Sequence, residues 1–527
     1  MNSGNNSYSS FGESVRPAPA PSITSEARLN DWLDQLENRL ESVSVAYNSA
    51  SFNKYIGLPA SDLNRIDAAY SALLNEPSYR ATVRHWLNRA TNPLLCRRLE
   101  LFEKSFLEAE VSKNPAIYEL RNLINDRLIG YKPRVGNSEL TRSDITEILR
   151  SHPDRTVRQR IYEQALSPLS RELESQVSAL MQHRNTEARR LGFKTYADLH
   201  LHLLGTNRTT LFELFDRLEA LTTAPYREFL AVAAREHGLE RVEPWDLQWL
   251  ADRRASLPDG PFQPDNMLAM VHALVALFGL KPQELPIQVV KQDIPFGGLC
   301  FTIRVPDDIR ILTNPKAGYL FYRTMVHEFG HGLHSAFIRQ PSYTLKREWG
   351  PFNEGMAETL AFFTHYPDWL LKTTGLSKAE VENYQRENAR RRIQRLRNLL
   401  AQARFEIEAY DNPSANLNRL LADYEARYLL TPLNLTPRWA AVSFPTTHPI
   451  YRQNYILAEL IAAQTHAEIE RRFGFFFQLP EDGRKAVFNF LRANYYAPGA
   501  FTEWADKIRN ATSKPLSVDA LVKELSL

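Results

Sequence analysis

At 527 residues, 43% of them hydrophobic, the chain is long enough to bury a large core, and Lys plus Arg (64) against Asp plus Glu (61) leaves a net charge of only +3. The two signs are interspersed along the chain, which argues against nucleic acid or a membrane surface as the main partner. The two cysteines, Cys96 and Cys300, stand far apart; that spacing speaks against a disulfide framework, a thiolate zinc site or a redox pair, and favours an intracellular, cytoplasmic location.

Met1 to about Ser25 is rich in Ser, Asn, Pro and Ala and lacks the basic-then-apolar order of a secretory signal, so it reads as a disordered tail. From Glu26 to Asp252 apolar residues recur at three and four, as in Leu29, Trp32, Leu33, Leu36 and Leu40, which predicts a helical bundle. Within it, Ser143-Asp144-Ile145-Thr146-Glu147 supplies a capping residue before an apolar-periodic run, and Ser151 to Arg155, with Pro153, marks the break before the next helix. Two Pro-rich stretches, Leu257–Pro264 and Leu285–Gly298, mark a change of architecture. The division that follows is a tail over 1–25, a helical N-terminal lobe over 26–260 and a C-terminal lobe over 261–527, the two lobes sharing one structural domain.

Leu299-Cys300-Phe301-Thr302-Ile303-Arg304-Val305, a turn at Pro306-Asp307-Asp308, and Ile309-Arg310-Ile311-Leu312 read as a β-hairpin, the one convincing sheet signal. After Gly318 the pattern is helical again, broken at Pro432–Pro449 and near Pro498-Gly499. The longest apolar run, Leu268–Leu280, is interrupted by His272 and falls short of the roughly 20 residues a bilayer crossing needs, so a soluble, mostly α protein is expected.

Between Phe321 and Ile338, Met325, Val326, Phe329, Leu333 and Phe337 keep helical spacing, so His327 and His331 fall one turn apart on one face. Two imidazoles so placed can reach one ion at about 2.0 to 2.1 Å, while Glu328 sits beside the metal without ligating it, placed to take a proton from bound water. A His-Glu-x-x-His string by itself arises by chance in roughly a few chains per hundred of this length, so its context matters. Gly330 and Gly332 each cost a helix about 1 kcal/mol against Ala, a cost tolerated where another backbone or a ligand must come close.

Downstream, Phe352-Asn353-Glu354-Gly355-Met356-Ala357-Glu358 puts two glutamates on one helical face. One of them can complete a three-ligand site with an open fourth position, and the other can hydrogen-bond a ligating histidine. Glu354 is assigned to the metal, one zinc per chain, and Glu358 to its support. His334 shares the face of His327 and His331 but has no glutamate placed as Glu328 is, and reads as a hydrogen-bonding neighbour.

With these residues in view, the chain resembles the thimet oligopeptidase and oligoendopeptidase F family of zinc peptidases, and more distantly the angiotensin-converting enzyme family. The resemblance rests on His327-Glu328-Phe329-Gly330-His331-Gly332-Leu333-His334 and on Phe352, Glu354 and Glu358, with further likeness at Leu191–Leu199 and in the Asp308–Ile311 strand. It implies a helical ellipsoid split by a deep substrate channel, with zinc on its floor and a tyrosine, Tyr455, aimed at the substrate carbonyl. The family pattern ahead of that tyrosine is departed from: His448-Pro449-Ile450-Tyr451 has no glycine and a shorter spacing, which leaves His448 and Tyr451 both open for the companion role.

The expected activity is zinc-dependent hydrolysis of short peptides, with Glu328 as general base and Tyr455, aided by His448 or Tyr451, meeting the oxyanion. The edge of the hairpin would pair with an extended peptide by strand addition. The rivals are a helical binding or scaffold protein with a structural zinc site, which would want four protein ligands and no base, and a peptidase dedicated to one peptide.

Overall fold

The computed structural model describes residues 17–254, 256–294, 296–348 and 350–526. Residues 1–16 of the expected disordered tail lie outside the described residues; residues 17–24 run without regular structure, their Ala18 and Ala20 N–H groups donating to the Tyr79 hydroxyl at 3.3 Å and to Ser78 Oγ at 2.9 Å.

The protein is mostly α-helical, about 70% of it, with two small sheets. The frame-bearing helices are α1 (Glu26–Tyr55), α2 (Pro93–Ser112), α3 (Ser167–Arg190), α4 (Arg208–Glu236), α5 (Tyr319–Ala336), α6 (Pro351–Phe362), α7 (Lys378–Ala409) and α8 (Arg452–Phe473). Helix α1 buries Leu29, Trp32, Leu33, Leu36 and Leu40, the face its period marks out, in a core shared with Leu99, Phe102 and Phe106 of α2. A larger core takes Leu173 and Leu180 of α3, Phe215 and Tyr226 of α4, Leu396 and Leu400 of α7 and Leu457 and Leu460 of α8, and so draws on both sides of residue 260. No described helix is long and apolar enough to cross a membrane.

The cap expected at Ser143–Glu147 falls two residues earlier. Helix Arg142–Ser151 is capped by Thr141, whose Oγ1 accepts from Asp144 N at 3.1 Å while the Asp144 carboxylate accepts from Thr141 N at 2.7 Å. That exchange satisfies two otherwise orphaned donors, which Ser143, already inside the first turn, is not placed to do.

A small antiparallel pair, β1 (Arg134–Val135) and β2 (Ser138–Glu139), precedes the main sheet of β3 (Ile287–Lys291), β4 (Gly298–Arg304) and β5 (Asp308–Thr313), whose order is β3-β5-β4. Strands β4 and β5 form the expected antiparallel hairpin, Leu299 opposite Leu312 and Phe301 opposite Arg310, with a bulge between Thr302 and Arg304. Strand β3 corrects the sequence reading, which took Leu285–Gly298 only as a break: Ile287–Lys291 pairs in parallel with Ile309–Thr313. Flanking prolines hide so short a strand, but an edge position tolerates them, and Pro286 contributes its carbonyl, accepting from Ile309 N at 3.0 Å. The sheet lies between α1, whose Phe52 meets Phe301 at 5.5 Å between ring centroids, and α5, whose Met325 and Val326 share a core with Ile311.

Candidate metal centre

Close backbone approach sets the site. A Cβ on Gly330 of α5 would stand 2.7 Å from Ala357 Cα and 2.9 Å from its carbonyl oxygen, and one on Gly355 of α6 would stand 2.8 Å from Ile461 Cγ2 of α8. Glycine is therefore what lets α6 lie tight between α5 and α8, the role its helix-breaking cost pointed to. Gly350, at a φ of 77° that other residues rarely adopt, turns the chain into α6, and Pro351 starts the helix where its missing N–H is not needed.

One ligand atom each from His327, His331 and Glu354 lie within 4.8 Å of one another. His327 Nε2 is 3.5 Å and His331 Nε2 3.9 Å from Glu354 Oε2. Donors at tetrahedral angles about 2.0 to 2.1 Å from one ion are roughly 3.4 Å apart, so the two histidine–carboxylate separations are close to those of a zinc site, and the 4.8 Å that bounds all three atoms closes to it by modest side-chain adjustment. The other edge of each imidazole is also engaged. His327 Nδ1 faces Glu358 Oε1 at 3.3 Å, and His331 Nδ1 meets the Asn353 side-chain oxygen at 3.1 Å, which calls for the proton on Nδ1 and leaves Nε2 as the lone-pair donor.

The electrostatics describe a place built for a cation. Burial works against a charged His327, yet Glu354 and Glu358 outweigh it and raise its pKa to about 10. Burial of the Glu354 and Glu358 carboxyls is likewise outweighed, by His327 beside the first and by Arg323 and His327 beside the second, and both are held below the usual range. For His331, burial and the neighbouring charge of His327 outweigh Glu354 and the Asn353 hydrogen bond, and its pKa falls to about 4. Glu328 differs from the other two acids: burial pushes it up to about 7, and the Cys300 N–H of β4 donates to its carboxylate.

Tyr451 donates its hydroxyl to Glu354 Oε1 at 2.7 Å, and the Tyr455 ring follows it one turn along, 5.5 Å between centroids. Burial raises the Tyr455 hydroxyl to about 12, keeping it a protonated donor near neutral pH. His448 is exposed, shares a hydrogen bond with Thr447 Oγ1 at 2.9 Å and stacks edge-on 6.2 Å from the Tyr451 ring; no described hydrogen bond or ion pair joins it to the three ligand side chains.

Several neighbours escaped the sequence reading. Arg323, one turn before His327, is bonded to Glu358. Asn353 takes a second histidine, His334 Nδ1, at 3.2 Å, and His334 Nε2 faces Glu348 at 2.8 Å, which Lys507 holds at 2.6 Å. For Arg323 and Asn353 the i−4 and i−1 offsets from the ligands were a usable signal; nothing in the sequence pointed to Lys507, far down the chain.

Two imidazoles and a carboxylate converging beside a buried acid make the arrangement of a metal-dependent hydrolase. Residues 148–289 match the model of peptidase family M3. Over that stretch the chain is similar to the M3 metallopeptidases, the family of thimet oligopeptidase and oligoendopeptidase F, and the likeness supports a metallopeptidase, a class that carries out zinc-dependent peptide hydrolysis. The matched stretch includes Leu191–Leu199 and ends ahead of α5, so the centre described above stands on its own geometry. No curated protein matches the chain.

Proposed function

We propose that the chain hydrolyses peptide bonds in short peptides, with zinc held by His327, His331 and Glu354 and with Glu328 as general base. The observation that carries this reading is the convergence of the three ligand atoms within 4.8 Å, next to an acid whose pKa of about 7 suits it to exchange protons near neutrality. Zinc, when bound, supplies a Lewis acid and a water acidified towards a pKa of about 7.

Glu328 takes the proton from the attacking water and hands it to the leaving amine. The Cys300 N–H steadies the Glu328 carboxylate, and Glu358, anchored by Arg323, orients His327. Tyr455 donates to the developing oxyanion, and Tyr451, through Glu354, is the residue we place in the companion role, with His448 further out. The outer edge of β4 beside Glu328 pairs with the substrate backbone. We keep the cytoplasmic assignment, supported by the free Cys96 and Cys300, and the single-domain reading, supported by the core shared across residue 260.

Metal analysis of the purified chain together with cleavage of a mixed peptide library, compared with intact folded protein as substrate, tests the proposal. Zinc near one per chain with cleavage confined to peptides supports it; a chain that takes up no divalent metal, or holds zinc yet cleaves nothing, removes it.

A further inference from the structure

A cavity of about 410 Å³ lies between α1, the helix Leu63–Leu74, the far end of β4 and the helical turn Tyr343–Lys346. Strand β4 connects it to the candidate metal centre: Cys300 meets Glu328, and Thr302 through Val305 line the cavity. At about 3.3 Å per residue, the step from Cys300 to Thr302 and Arg304 is roughly 7 to 13 Å, the reach of about two to four residues of extended peptide.

A peptide running along the β4 edge is turned off it at this point. Asn48 Nδ2 of α1 donates to Thr302 O at 3.0 Å, occupying that backbone acceptor, and the bulge between Thr302 and Arg304 bends the strand out of register. A substrate peptide paired with that edge would therefore leave it where the cavity begins.

The cavity wall carries charges of both signs, but one group is prepared for a specific partner. Arg347 is open to solvent, its guanidinium lies over the rings of Tyr343 (5.4 Å) and Tyr70 (6.0 Å), and its Nη1 donates to the Tyr70 hydroxyl at 2.6 Å. Lys346 on the same wall is held by Glu41 at 3.7 Å, whereas the carboxylate that Arg347 senses, that of Glu108, acts on it as a nearby charge and forms no described ion-pair contact, so the guanidinium keeps donors for another partner. A planar guanidinium stacked on two aromatic faces, with donors left over, is the fork that binds a carboxylate.

We infer that Arg347, steadied by Tyr70 and Tyr343, is the specificity-determining residue of a distal subsite that takes a carboxylate of the peptide, about two to four residues from the scissile bond. The inference rests on the peptidase reading above. The carboxylate is either an Asp or Glu side chain or the peptide's own C-terminus.

The zinc-loaded full-length chain should be given quenched fluorescent peptides in which Asp is walked outward from the scissile bond on each side, each made as free acid and as C-terminal amide. Asp at the favoured position raises kcat/KM about tenfold over Ala, the order expected of one charge-assisted pair; if only free-acid peptides of one length gain, the terminus is the ligand. In Arg347→Met the acidic-to-neutral ratio falls to about one, Arg347→Lys restores part of it, and Tyr70→Phe lowers it while leaving Arg347 in place. Equal cleavage of acidic and neutral peptides by the wild type, or an unchanged ratio in both Arg347→Met and Tyr70→Phe, overturns the subsite while the peptidase reading stands. A zinc-loaded wild type that cleaves none of the peptides overturns both.

Discussion

The α5/α6 pair and the segment that runs from His448 into α8 both reach Glu354, yet different forces fix them. In the pair, helical period puts His327 over His331 and Glu354 beside Glu358, and glycine contact between the helices closes the distance. In the segment, a kink aims the side chains: buried Ile450 sits at a φ of 55°, a sparsely populated conformation for a β-branched residue, with its N–H held by the buried Glu406 carboxylate at 2.8 Å. Repetitive geometry makes a site that spacing alone describes, whereas a kinked loop makes one whose members change places when its length changes. That is why His327, His331 and Glu354 can be picked out from spacing, while the roles of His448, Tyr451 and Tyr455 have to be taken from contacts.

The sharpest way to break the comparison is Glu328→Gln, expected to lower kcat by about 10² to 10⁴ with zinc content unchanged. Near wild-type turnover in that variant would remove the base from the α5/α6 side altogether. Next come the two tyrosines. Tyr455→Phe should lower kcat by about 10² to 10³ and leave zinc affinity alone, whereas Tyr451→Phe should weaken zinc binding by about 10- to 100-fold and recover most of its turnover at saturating zinc. If the two variants trade phenotypes, the roles within the kinked segment are reversed.

A smaller effect is expected of Asn353→Ala, which removes the acceptor shared by His331 and His334: competition with a chelator should show zinc affinity down towards the tenfold end of that range, with Asn353→Asp keeping an acceptor and losing less. Gly330→Ala is the mildest for chemistry and speaks to the frame. Its methyl group would meet the Ala357 backbone, which no rotamer change can relieve, so a loss of about 1 to 3 kcal/mol and a lower Tm by calorimetry are expected. An unchanged Tm would mean that α5 and α6 are not as close as described.

From the sequence alone come the mostly helical architecture, the β4/β5 hairpin and the residues that converge as His327, His331 and Glu354, because helix and strand periods are local rules and the motif lies within two short helices. Tertiary structure alone decided the rest. Strand β3 exists only through its parallel partner β5, twenty-two residues further along the chain, a pairing that flanking prolines conceal from a local reading. Tyr451, and not His448, touches Glu354 because α8 is set across α6 at Gly355 and Ile461, and His334 is tied to Lys507 because the helix Trp504–Thr512 packs behind the site. Such contacts depend on how whole elements lie against one another, and short-range spacing carries no information about that.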